Sequence, residues 1–177
     1  MNKEIVHLGI CVVLFIVLRY LFSIFPVEKL DFLLLPVSKL VGVCLNSSGK
    51  FVEGTGYVHA DLEIVIEKSC AGANFLLISF LMTSYLFISE KVLTSWLIIP
   101  CSFLLSYCLT LLANVGRIVG YLVLSQKEVF SLGGRIDQQT FHTLTGVVVY
   151  LVFLILFYFI LQRIVLNKKI VSHEKVA

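Results

Sequence analysis

A chain of 177 residues that is 59% hydrophobic and only 14% charged is not composed like a soluble domain, in which about a quarter of the residues are charged. Its mean hydropathy of +0.99 points the same way, to an integral membrane protein. The net charge of +3 is small, and with no basic-aromatic surface or phosphate loop in the sequence, nucleic acid is not expected as a partner.

A bilayer core of about 30 Å takes about 20 helical residues to cross. The first run of that length is Ile5 to Phe25, interrupted only by Arg19. Leu30 to Leu45 is shorter and holds Asp31, Pro36 and Lys39; it reads as a short crossing, with a re-entrant or interfacial segment as the alternative. Asn46 to Ser69 follows as a polar insert. It opens on the turn residues Asn-Ser-Ser-Gly, and DLEIVIE then alternates, with Asp61, Glu63 and Glu67 opposite Leu62, Ile64 and Ile66. That period of two marks a half-exposed strand. Phe51 to Val58 is expected to pair with it as a hairpin, weakened by Gly54 and Gly56, a disordered loop being the alternative. His59 and the carboxylates of this insert read as a solvated face.

The third apolar run, Ala71 to Ile88, has no charge. The fourth, Thr94 to Ser125, is 32 residues long, about 48 Å of helix, and is expected to be a single long helix rather than two half-crossings. Gln126 to Gln139 contains the Gly133-Gly134 turn and separates it from the fifth run, Thr140 to Leu161. The sequence therefore predicts an all-α membrane protein of five transmembrane helices, six if the long run divides. It forms one multi-pass domain over 1–177, with an outer hairpin at 46–69, an outer loop at 126–139 and a basic tail at 163–177. Arg163, Lys168, Lys169 and Lys175 make that tail the densest positive cluster and place it in the cytoplasm. Counting back places Glu90-Lys91 inside, Cys70 and the hairpin outside, Glu28-Lys29 inside and the N-terminus outside. The first run has no cleavage site of the secretory type, and no cleavable leader is expected.

Ionisable groups inside such runs are costly and tend to be functional. Arg117 sits in LLANVGRIVGYLVL, eight residues before Ser125, about 12 Å below the outer end of its helix. Snorkelling is the plain reading. Asn114, three positions earlier on the same face, argues instead for a polar pocket. His142, in QQTFHTLTGVVVY, opens the fifth helix, and alone it reads as an ordinary interfacial histidine. Thr143, Thr145 and Gly146 follow it.

Of the five cysteines, Cys11, Cys44, Cys101 and Cys108 lie in apolar runs and read as reduced filler. Cys70, in IEKSCAGANFL, differs. It stands at the outer start of the third helix, where the helix end favours a thiolate, and Ala71, Gly72 and Ala73 leave room beside it. Thiol and imidazole are the minimum for acyl transfer, and a guanidinium beside them can stabilise negative charge. Arg19 and Lys39 read as snorkelling residues. With no CxxC, no HExxH and no Cys/His cluster, no cofactor and no metal are expected.

At these residues the sequence resembles the exosortase/archaeosortase family of membrane cysteine transpeptidases, most nearly the short exosortase K type. EKSCAGANFL resembles the family's Cys-Ser/Ala-Gly segment, NVGRIVG its Asn-x-x-Arg-Ile/Val segment and FHTLTGVVVY its His-x-x-x-Gly segment, in that order, over about Phe51 to Tyr150. The resemblance implies a multi-pass helical enzyme of the cell membrane with its active site on the extracytoplasmic side. It implies Cys70 as nucleophile, His142 as proton-transfer residue and Arg117 as stabilising cation, with Asn114 in support. It implies a substrate that is an exported protein ending in a sorting motif, a transmembrane helix and a basic tail, cleaved through a thioester and passed to an envelope acceptor. Readings from other classes remain: a non-catalytic membrane assembly protein, or a small transporter with Arg117 as its anion site.

Overall fold

The structure, a computed structural model, describes residues 3–126 and 138–174. It is mostly helical: α1 (Lys3–Ile24), α2 (Asp31–Leu45), α3 (Ala73–Ser89), α4 (Ser95–Gln126) and α5 (Gln138–Glu174), with β1 (Lys50–Val52), β2 (Gly56–His59) and β3 (Ile64–Ile66) between α2 and α3. Pro26 stops α1 by taking an extended conformation, as a residue without an N–H does. Asn46 ends α2 in the left-handed region, and the Ser47 N–H closes the helix on the Gly42 carbonyl.

Four helical stretches are long and apolar enough to cross a membrane: Glu4–Ile24, Lys68–Ser89, Trp96–Leu124 and Thr143–Val165. The 32-residue fourth run is one helix, as expected. The second run, expected as one of five, is not among these four. Its helix has 15 residues, about 22 Å. Leu33, Leu34, Val37 and Val41 are fully buried along one face of it, the i, i+3, i+4 stripe of a helix laid against a core. They meet Tyr57 and Ile66 of the sheet, and Cys70, Ala71, Leu76 and Leu77 ahead of and along α3. α5 continues through Arg163 to Glu174, past the apolar stretch that ends at Val165. Most of the expected loop at 126–139 lies outside the described residues.

The ends of the bundle are fixed by long-range contacts. Glu4 pairs with Lys91 at 3.0 Å, so the start of α1 and the α3–α4 turn share one end. Glu28 accepts from the Gly54 N–H at 2.8 Å, so the far end of α1 lies with the sheet. The expected arrangement, with the N-terminus opposite Lys91 and Glu28 opposite the sheet, is therefore wrong. Its cause was counting α2 as a crossing.

The hairpin expected at 51–58 against 61–67 is a three-stranded antiparallel meander. The chain reverses at Gly54 and Gly56, both at positive φ, so the expected first strand is two. Its attachment to α2 is polar as well as apolar. The Tyr57 hydroxyl donates to Asp31 at 2.7 Å, and burial together with that carboxylate pushes the phenol up to about 12.

His59 was expected on a solvated face and is instead fully buried. Its Nε2 meets the Ser38 hydroxyl at 2.9 Å and its Nδ1 the Ser47 hydroxyl at 2.8 Å. Ser47 donates its proton to Asp61 at 2.7 Å. A hydroxyl has one proton to give, so Ser47 accepts from Nδ1–H, and Nε2 is left to accept from Ser38. Burial holds the imidazole pKa below its ordinary 6.5, with Asp61 pulling the other way. The unfolded chain thus takes up this proton more readily than the folded one. The contribution is complete above the unfolded pKa and declines as the pH falls from there toward the lowered folded value. Amide protection in β2, corrected for intrinsic exchange, should fall between about pH 7.5 and about pH 5.5. Equal protection at both would remove His59 as the anchor.

Candidate functional site

At the sheet end of the bundle the chain brings the sequence's candidates toward one place. Cys70 lies in a short 3-10 turn, Lys68–Ala71, three residues ahead of α3 rather than in its first turn. Its N–H bonds to the Glu67 carbonyl at 2.8 Å. The thiol is buried, 3.8 Å from the Ser69 hydroxyl, and packs in the cluster that includes Leu76 and Ile118. Gly72 then turns the chain into α3 with φ +68°, a conformation that favours glycine. The same glycine is needed for space. A Cβ there would stand 2.9 Å from Cγ of Asn114 on α4.

Asn114 is fully buried. Its Oδ1 accepts a hydrogen bond from the Tyr150 hydroxyl of α5, while its Nδ2 has no partner among the described residues. One turn on, the Arg117 guanidinium lies over the Tyr150 ring, 5.4 Å from its centre, a cation–π contact. Nε and Nη2 of Arg117 also find no partner among the described residues. Gly146 lets α5 approach this side chain, since a Cβ there would meet Cδ of Arg117 at 3.0 Å. The Cys70 thiol and the Arg117 guanidinium both lie within electrostatic range of Tyr150.

The structure therefore places Asn114 against the turn that follows Cys70, with Arg117 one helical turn further along, and both side chains meet Tyr150. His142 belongs to the start of α5, four residues before Gly146, and its side chain lies outside the described ones. Three donors converge in this buried cluster, and no carboxylate pairs with Arg117 among the described residues. Such a cluster can receive negative charge, whether a bound anion or an oxygen that becomes anionic during a reaction. No group of metal-binding side chains occurs among the described residues.

Two participants were not singled out in the sequence. Tyr150 is the floor of the cluster, and its signal was a hydroxyl-bearing ring four residues after Gly146 in an otherwise apolar run. Arg19, expected to snorkel at the opposite end, donates to Asn74 Oδ1 at 3.0 Å, four residues past Cys70. No pattern in either segment announces that contact.

No protein-family model, curated protein or solved structure matches this chain. Fold and site together define a mostly helical protein with four helices able to cross a membrane, a small sheet at one end, and a buried thiol and a buried arginine that has no carboxylate partner among the described residues.

Proposed function

We propose that this chain is a membrane cysteine peptidase/transpeptidase of the cell membrane. It would cleave the C-terminal sorting signal of exported proteins at the extracytoplasmic face and pass them to an envelope acceptor. The observation that supports this most is the meeting of the Cys70–Gly72 turn with Asn114, one helical turn from Arg117, where buried donors of both side chains find no hydrogen-bond partner among the described residues. The Cys70 thiolate attacks the scissile carbonyl carbon, and a C–S bond forms. The oxygen's developing charge is met by Arg117, with Asn114 in support. His142 gives a proton to the departing amine as the C–N bond breaks, leaving a thioester. A nucleophile from a lipid, a glycan or water then attacks that thioester and returns the thiol.

The test is to express the full chain with a reporter bearing a C-terminal signal and to search for an acyl adduct on Cys70 released by hydroxylamine. Arg117→Ala should slow adduct formation by about 10²–10³-fold, the range for loss of an oxyanion donor. His142→Ala should lower release of the cleaved segment. Cleavage of the reporter without any Cys70 adduct would end the proposal.

A second reading draws on Ser102, Ser106, Thr110 and Asn114, every fourth residue of α4 and all fully buried. Such a stripe holds membrane helices together, as a non-catalytic assembly protein or a small transporter would need. In that case Cys70 should react with a charged alkylating agent no faster than Cys44 or Cys108. Any anion flux should also survive Cys70→Ser.

A further inference from the structure

At the sheet end, α1 and α5 both flank the start of α3 and leave a cleft of about 400 Å³ between them. Arg19 and Lys68 stand at it with Ser69 and Asn74, and Phe75 and Tyr150 form its apolar side. No carboxylate lines it. The neighbouring Glu67 accepts the Ser69 hydroxyl at 2.7 Å. Lys68 donates to the carbonyls of Ser23 and Phe25 at 2.8 and 2.6 Å, holding the end of α1, and Arg19 donates to Asn74. Neither cation has a carboxylate partner among the described residues.

An arginine without a counter-charge is costly where it stands. Arg19 belongs to the apolar stretch Glu4–Ile24, five residues before its end, hence about 8 Å inside along the axis. Two cations and an amide N–H group over aromatic rings match a phosphate joined to an apolar body. Guanidinium is the group suited to phosphate, and the rings receive what is attached to it. We infer that this cleft binds the phosphate of a glycerophospholipid headgroup entering sideways between α1 and α5. The height of Arg19 within an apolar stretch favours a lipid over a solute from water. The inference stands apart from the proposed peptidase activity and does not need it.

The test uses the full chain in detergent, with native mass spectrometry counting retained phosphatidylglycerol against dioleoylglycerol, which lacks the phosphate. The wild type should retain phosphatidylglycerol at least about tenfold better, the size of one lost charged contact. Arg19→Gln should remove most of that preference. Ala73→Leu, which fills the cleft floor without removing a charge, should do the same. Lys39→Gln, a cation on the exposed face of α2, should not. Lys68 is left intact because it holds α1. Equal retention of both lipids, or unchanged retention in Arg19→Gln and Ala73→Leu, would overturn the inference. So would displacement of the lipid by inorganic phosphate or by an acidic peptide at low millimolar concentration, which would assign the cleft to those ligands.

Discussion

Cys70→Ala is expected to stop reporter processing altogether, by at least about 10³-fold, while the protein still reaches the membrane at its normal level. The thiol is buried with Leu76, Leu77 and Ile118 around it. Alanine keeps the backbone of the 3-10 turn and removes a single sulfur, at a cost on the order of 1 kcal/mol. Packing loss of that size leaves the fold in place, so loss of processing would report chemistry. Cys70→Ser sharpens the result. It keeps a nucleophilic atom of similar shape but a far weaker nucleophile at neutral pH, and it should be inactive too. Processing equal to wild type in Cys70→Ala would return this residue to the role of apolar filler and favour the assembly reading.

Gly72→Ala is expected to destabilise the protein by about 2–5 kcal/mol. About 1–2 kcal/mol comes from forcing a Cβ into the left-handed conformation, since φ is +68° there. A further 1–3 kcal/mol or so comes from overpacking, because the new methyl would press on the Asn114 amide. That amide is buried and held by the Tyr150 hydroxyl, so it has little room to retreat. Thermal unfolding in detergent measures the loss. In Gly72→Ala with Asn114→Ala the clash is gone, and the double variant should be less destabilised than the sum of the two singles. Strict additivity would mean that the two side chains do not press on one another.

The apolar run lengths of α1, α3, α4 and α5 were legible because a helix that crosses lipid must satisfy its backbone internally and show an apolar surface along its whole length. The long α4 was readable for the same reason. α2 was not. Leu33, Leu34, Val37 and Val41 give it enough apolar residues to imitate a short span, and only its packing against Tyr57 and Ile66 shows that one face is enough to bury them. Because each counted crossing reverses the side of everything before it, that one helix also misplaced Arg19 and the start of α1. Glu4 on Lys91 and Arg19 on Asn74 restore both.

The cluster divided in the same manner. Cys70, Asn114 and Arg117 drew attention because a thiol, an amide and a cation are costly or unusual in apolar surroundings, which composition alone reveals. The amino-acid sequence by itself determined the membrane-type composition, the main helices, the polar strand-forming insert between the second and third runs, and these polar residues in apolar surroundings. Only the tertiary structure decided that His59 is buried between Ser38 and Ser47 and that Tyr150 holds Asn114. It also decided that Arg19 opens a cleft beside Cys70. The reason is separation along the chain. His59 and Ser38 are 21 residues apart, Tyr150 and Asn114 36, and Arg19 and Asn74 55. Helical and strand periodicity describe neighbours within a few positions, so contacts at those distances are set by how the elements pack.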